Sequence, residues 1–143
     1  MKPWQAWFLH ISNISVGLTG LAYAYFIYLA APLDEYSNVS SPWQPLMHEL
    51  HILTAPLLIF GIGMIWMTHA LAKIRGRDPN RRRTGIFLIS LAWPMIFSGV
   101  VVQIVTSPEA SRFWKIAHLA ASLLWLAGYL FHQLQSRSEG SDA

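Results

Sequence analysis

The sequence predicts an all-α membrane protein: four transmembrane helices in an up-down-up-down bundle, with both termini in the cytoplasm. Two observations lead there. Of the 143 residues 54% are hydrophobic and only 12% charged, against about 25% charged in a typical soluble domain. The apolar residues also gather into four stretches, roughly 5–31, 46–72, 84–106 and 111–134. Each is longer than the ~20 residues that cross the hydrocarbon core of a bilayer. The four stretches make residues 1–135 one transmembrane domain without a separate soluble domain, and 136–143 is expected to be a disordered cytoplasmic tail.

Each element has its own signals. The first stretch follows Lys2 and contains Ala22-Tyr23-Ala24, which loosely mimics a signal-peptide cleavage site. The apolar run continues to Ala31, too long for a signal core, so it reads as a signal anchor and first helix. The connection from Pro32 to Pro45 is acidic and rich in Ser and Pro. The connection from Lys73 to Arg83 instead carries six of the ten Lys and Arg residues. Positive charge in short loops marks the cytoplasmic side, which puts this loop and both termini inside. Lys2 and Arg137 join it there, and only Arg112 and Lys115 fall outside. The isoelectric point near 9.5 then reflects topology, not nucleic-acid binding. The last connection, 106–111, is a tight hairpin with Ser107 as N-cap and Pro108 at the helix start. Trp4, Trp7, Trp43 and Trp114 lie at helix ends, where indole rings anchor to the lipid interface.

Cysteine is absent, which excludes disulfides, iron–sulfur clusters, thiolate zinc sites and covalently attached haem. Any metal falls to histidine, and there are six. His118 and His132 stand fourteen residues apart on the fourth helix. That spacing is a rise of about 21 Å with the side chains about 40° apart in projection. The topology places His10, His69 and His132 toward the cytoplasm and His48, His51 and His118 toward the outside. Ionisable groups within spans point into the bundle, and a haem held by two imidazoles needs one from each of two helices at equal depth. Depth alone pairs His118 with His51 and His132 with His10, and His48 is a second candidate for the outer ligand. His48 and His69 also suit a plain interfacial role.

Small residues near these histidines leave room for a flat macrocycle or for close helix packing. Gly17 lies seven residues after His10, with Gly20 beyond it, and Gly128 precedes His132 by one turn. Arg112 and Lys115 precede His118 and suit either haem propionates or anionic lipid headgroups.

With these residues in place, the chain resembles the di-haem cytochrome b subunits of respiratory formate dehydrogenases and nickel–iron hydrogenases, of the prokaryotic cytochrome b561-like superfamily. The resemblance runs over all four spans. It rests on His10 in WFLHISNISVGLTG, on Leu50-His51, and on the His118–His132 pair. The chain is shorter than typical members, lacks their extended cytoplasmic tail, and carries the extra His48. The resemblance implies two haem b groups, with His51 and His118 holding the outer one and His10 and His132 the inner one. It further implies a bacterial inner-membrane subunit that passes electrons between an extracytoplasmic redox partner and the quinone pool, and is not catalytic alone. His69 would lie near the quinone, and Trp93-Pro94 in the third helix is expected to kink it, shaping a quinone cleft or improving packing.

Rival classes fit less well. A small histidine-rich transporter would need carboxylates within the spans, and Glu49 is the sole candidate, near an end. A non-haem metal or assembly subunit leaves two histidine sets in opposite leaflets unexplained. If His69 donates a proton to quinone, its replacement impairs quinone turnover while the haem spectrum stays intact; loss of haem in that variant contradicts the role.

Overall fold

The computed structural model describes residues 1–37, 39–76 and 82–141, with side chains as far as 135 in the last helix. Every element among these residues is helical: α1 (Pro3–Tyr28), α2 (Trp43–Ile65), a π-helical turn (Trp66–Ala70), α3 (Leu71–Arg75), α4 (Arg82–Ile104) and α5 (Pro108–Ser141). Among the described residues three helical rods are long and apolar enough to cross a membrane: Trp43–Arg75, Arg82–Ile104 and Pro108–Gln135. The chain thus reads as a multi-pass membrane protein.

The first expected span is a correction in degree. At 26 residues α1 has a length of about 39 Å, enough to span a bilayer, yet it falls outside the apolar set. Gln5, His10, Ser12, Asn13, Ser15 and Thr19 dilute its hydropathy. Gln5, Ser12 and Asn13 are buried in the protein, Asn13 at 1% exposure. Burial in protein is where polar groups of a membrane helix are tolerated.

Helix boundaries differ from the expected ones for local reasons. At the start of α1, the Gln5 side chain accepts a hydrogen bond from the Lys2 amide at 2.8 Å. The helix ends at Tyr28, the Leu29 amide still donating to the Tyr25 carbonyl, and stops short of Ala31, where Pro32 disfavours helical backbone. α2 starts three residues early, with the Gln44 side-chain oxygen accepting from the Ser40 amide at 3.0 Å. Ser107 caps α5 as expected, its hydroxyl accepting from the Ala110 amide at 3.4 Å and donating to Glu109 at 3.0 Å. α5 runs on to Ser141, into the segment 136–143 expected as a tail. No Pro or Gly interrupts the sequence between Gly128 and Gly140, and the Gln residues there favour helix. Residues 77–81 of the basic connection and 142–143 of the tail lie outside the described residues. Pro94 sits inside α4, which continues unbroken through it.

The chain divides into two compact units, Met1–His69 and Ala70–Ala143. In the first, α1 and α2 pair antiparallel. Phe8 near the start of α1 packs edge-on against Phe60 near the end of α2, with ring centroids 5.8 Å apart. Gly61 admits Leu9 so closely that a Cβ there would lie 3.1 Å from the Leu9 side chain. Beyond the turn, the Ser40 hydroxyl donates to the Phe26 carbonyl at 2.6 Å.

In the second unit α4 and α5 pair the same way. Phe97 packs against Trp114 at 5.6 Å, and Gly128 receives Phe87 and Leu88. A Cβ on Gly128 would lie 2.8 Å from the Phe87 ring and 3.3 Å from Leu88. Gly128→Leu is therefore expected to overpack this contact, costing about 1–3 kcal/mol. Thermal unfolding in detergent should show a lowered midpoint; an unchanged one would mean that α4 and α5 do not approach here.

Candidate functional site

Three of the six histidines are held by hydroxyl–glycine dipeptides on the neighbouring helix. His118, on α5, places Nδ1 3.0 Å from the Met95 carbonyl oxygen and 3.2 Å from the Ser98 hydroxyl of α4. The Ser98 hydroxyl donates its own proton to the Pro94 carbonyl at 2.6 Å. It therefore offers Nδ1 only a lone pair, and a carbonyl can only accept. Nδ1 must carry the proton, and in a neutral imidazole that puts the lone pair on Nε2. This is the tautomer that ligates metals, and an Nδ1–H held by a carbonyl is the usual partner of a metal-bound histidine. The ring lies flush on Gly99, where a Cβ would be 3.0 Å from Cε1.

His51, on α2, repeats the arrangement inside the first unit. Its Nδ1 lies 3.0 Å from the Val16 carbonyl of α1, with the Thr19 hydroxyl a looser neighbour at 3.5 Å. Thr19 donates to the Ser15 carbonyl at 2.8 Å, so it too presents a lone pair. A Cβ on Gly20 would be 2.7 Å from Cε1 and 2.9 Å from Nδ1 of His51. The two seats share one pattern: a carbonyl, a hydroxyl three residues later and a glycine one further on. Such positions cluster on one face of a helix. His51 stands about two turns into α2 and His118 about three turns into α5, so each hairpin holds its histidine near its own connection.

His132, further along α5, is seated by Thr84 of α4, whose hydroxyl lies 2.8 Å from Nδ1. Thr84 also donates to the Gln135 side-chain oxygen at 3.3 Å. Gly85 lies beneath the ring, a Cβ there coming within ordinary contact of Cε1 at 3.9 Å. Thr84-Gly85 and Ser98-Gly99 stand fourteen residues apart on α4, the same interval that separates His132 from His118 on α5. Two antiparallel helices thus carry matched pairs of seat and histidine about 21 Å apart along their axes.

Sequence reasoning missed these seats, although Thr19-Gly20, Thr84-Gly85 and Ser98-Gly99 were legible. It looked for small residues beside each histidine on the same helix, whereas the glycines that matter face the ring from the next helix. Gly128, expected as part of a thin strip beside His132, takes Phe87 and Leu88. Gly17 lies half-buried on α1, three residues before Gly20.

The other candidate residues have more varied surroundings. His10 is half-buried on α1, with its ring edge-on to Trp7 at 6.3 Å. His48 is exposed and stacks at a 32° tilt on Tyr23, centroids 4.7 Å apart. His69 lies in the π-helical turn, a feature frequent at functional sites. Arg112 and Lys115 are exposed in the first turns of α5, Lys115 one turn before His118. Among the described residues no three His, Asp or Glu side chains gather into a metal cluster.

Gly20→Ala and Gly99→Ala test the seats directly. Each added methyl should displace the imidazole and break its Nδ1 hydrogen bond, with the larger effect at Gly20, where the gap is narrower. Imidazole ¹⁵N chemical shifts should show the loss of a single fixed tautomer at His51 or His118; unchanged shifts would mean that the rings do not rest on these glycines.

No protein family, curated protein or solved structure matches the chain.

Proposed function

We propose that the chain is a membrane-embedded di-haem b electron-transfer subunit. In this reading it forms an up-down-up-down four-helix bundle in the bacterial inner membrane, both termini cytoplasmic. It passes electrons between an extracytoplasmic redox partner and quinone or quinol. The observation that carries the reading is the matched register of α4 and α5. It holds His118 and His132 on one helix, with Nδ1 of each in a hydrogen-bonded seat.

The residues fit the proposed group. His51 and His118, with Nδ1–H fixed by carbonyls, would offer Nε2 to the outer haem iron; His10 and His132 would serve the inner one. His51 is preferred to His48 because its ring is seated between helices, while His48 is exposed against Tyr23. A bare metal ion usually takes three or four protein ligands. No three such side chains gather among the described residues. Gly17 would leave space on α1, and Arg112 and Lys115 would neutralise propionates at the outer end. When bound, haem with two imidazole ligands supplies a one-electron carrier with no open position for oxygen. The chain's own work is to hold the rings, shield them from water and fix their protons.

The test is optical. Purified protein reduced with dithionite should show sharp b-type bands, and a pyridine assay should give two haems per chain. His51→Ala or His118→Ala should remove one haem and His10→Ala or His132→Ala the other, while His48→Ala keeps both. A colourless protein contradicts the reading.

A further inference from the structure

Positive charge on this chain is concentrated at one corner of the second unit. Lys73 and Arg75 on α3, and Arg82 and Arg83 at the start of α4, are all exposed. α3 packs against α4, so the two helices carry these cations together. The sequence between them adds Arg77, Asp78 and Arg81. Asp78 is the only acidic residue from Leu50 to Pro108, and the connection therefore holds six cations to one carboxylate. The other end of the same unit is mixed, with Glu109 close in sequence to Arg112 and Lys115.

Helix lengths put the basic corner at headgroup depth. The rod Trp43–Arg75 has 33 residues, a length of about 50 Å, while a bilayer measures about 30 Å in hydrocarbon and about 40–45 Å with its headgroups. Its last turn, with Lys73 and Arg75, therefore emerges among the headgroups. α4 has 23 residues counted from Arg82, about 35 Å, which leaves Arg82 and Arg83 at the edge of the hydrocarbon. Cations fixed at that depth stand within a Debye length, about 8–10 Å, of lipid phosphates, where salt screens the attraction least. Guanidinium groups also match phosphate oxygens as planar, forked donors.

We infer that the α3–α4 corner binds the headgroups of anionic phospholipids, with Arg75, Arg82 and Arg83 as its principal contacts and Lys73 beside them. A positive bias sufficient for topology needs no particular placement; here the charges gather on two packed helices at the depth of the phosphates. The inference rests on the chain's crossing a membrane and is independent of the haem reading.

Native mass spectrometry of the purified full chain in detergent tests it, with phosphatidylglycerol and phosphatidylcholine as the probes. The protein should retain phosphatidylglycerol in preference to phosphatidylcholine, and added salt should weaken the preference. Arg75→Gln, Arg82→Gln and Arg83→Gln should each weaken phosphatidylglycerol binding roughly fivefold. The corresponding Lys variants should keep most of it, which separates loss of charge from loss of fold. Arg112→Gln, at the other end of the unit, should leave the preference intact. Equal retention of the two lipids, or undiminished phosphatidylglycerol binding in the triple Gln variant, overturns the inference. Displacement of the lipid by free glycerol phosphate, or by duplex DNA at equal phosphate concentration, overturns it as well, since the corner would then serve a soluble anion.

Discussion

A histidine inside a bilayer must give its ring proton to some acceptor, and this requirement shapes both hairpins. Water is scarce at that depth, and a buried donor left unsatisfied costs several kcal/mol. The carbonyls of a helix are already engaged along their own axis, but each keeps a second lone pair. His51 and His118 use it, at Val16 and Met95. To reach a carbonyl on the neighbouring helix the ring must lie almost on that helix's backbone. A side chain would block the approach, and so Gly20 and Gly99 stand where the rings rest. The interaction thus dictates helix separation, glycine position and tautomer together.

The same economy runs through the packing. Helices in lipid gain little from hydrophobic burial against one another, so small residues and polar contacts hold them. Gly61 with Leu9 in one hairpin, and Gly128 with Phe87 and Leu88 in the other, bring backbones close by shape alone. The polar residues are turned inward: Ser12 and Asn13 on α1 and Ser98 on α4 are nearly fully buried. This explains why α1 looks less like a membrane span by composition than its companions. Its polar residues belong to an interior, and an average over the helix cannot distinguish an inward polar face from a soluble helix.

Much of this was legible in the sequence, and the misses have physical causes. The apolar runs located the helices, and Ser107-Pro108 fixed the start of α5, because caps act locally. Helix ends that depend on downstream residues were less visible: α1 stops early before Pro32, and α5 continues through residues that lack a breaker. His51, His118 and His132 stood out because an imidazole in an apolar run is costly without a partner. The partners did not stand out, since Thr19, Thr84 and Ser98 look like ordinary polar residues until pairing brings them opposite a ring. The fourteen-residue interval shared by Thr84-Gly85 and Ser98-Gly99 was present in the sequence as a second copy of the His118–His132 interval. It becomes meaningful only once α4 and α5 are known to run antiparallel in register. His48 and His51 were alternatives on sequence grounds because both lie on α2 a turn apart. Their surroundings distinguish them: an aromatic stack at the surface for one, a backbone seat for the other.

Imidazoles with Nδ1 committed to the protein would turn Nε2 to iron in pairs, and the whole functional reading depends on that pairing. Low-temperature electron paramagnetic resonance of the oxidised, purified protein tests it most directly, since the signal reports the axial ligands of ferric haem. The expected result is two low-spin ferric signals of bis-imidazole character in equal amounts. High-spin iron, a signal from one haem only, or no ferric haem signal would contradict it.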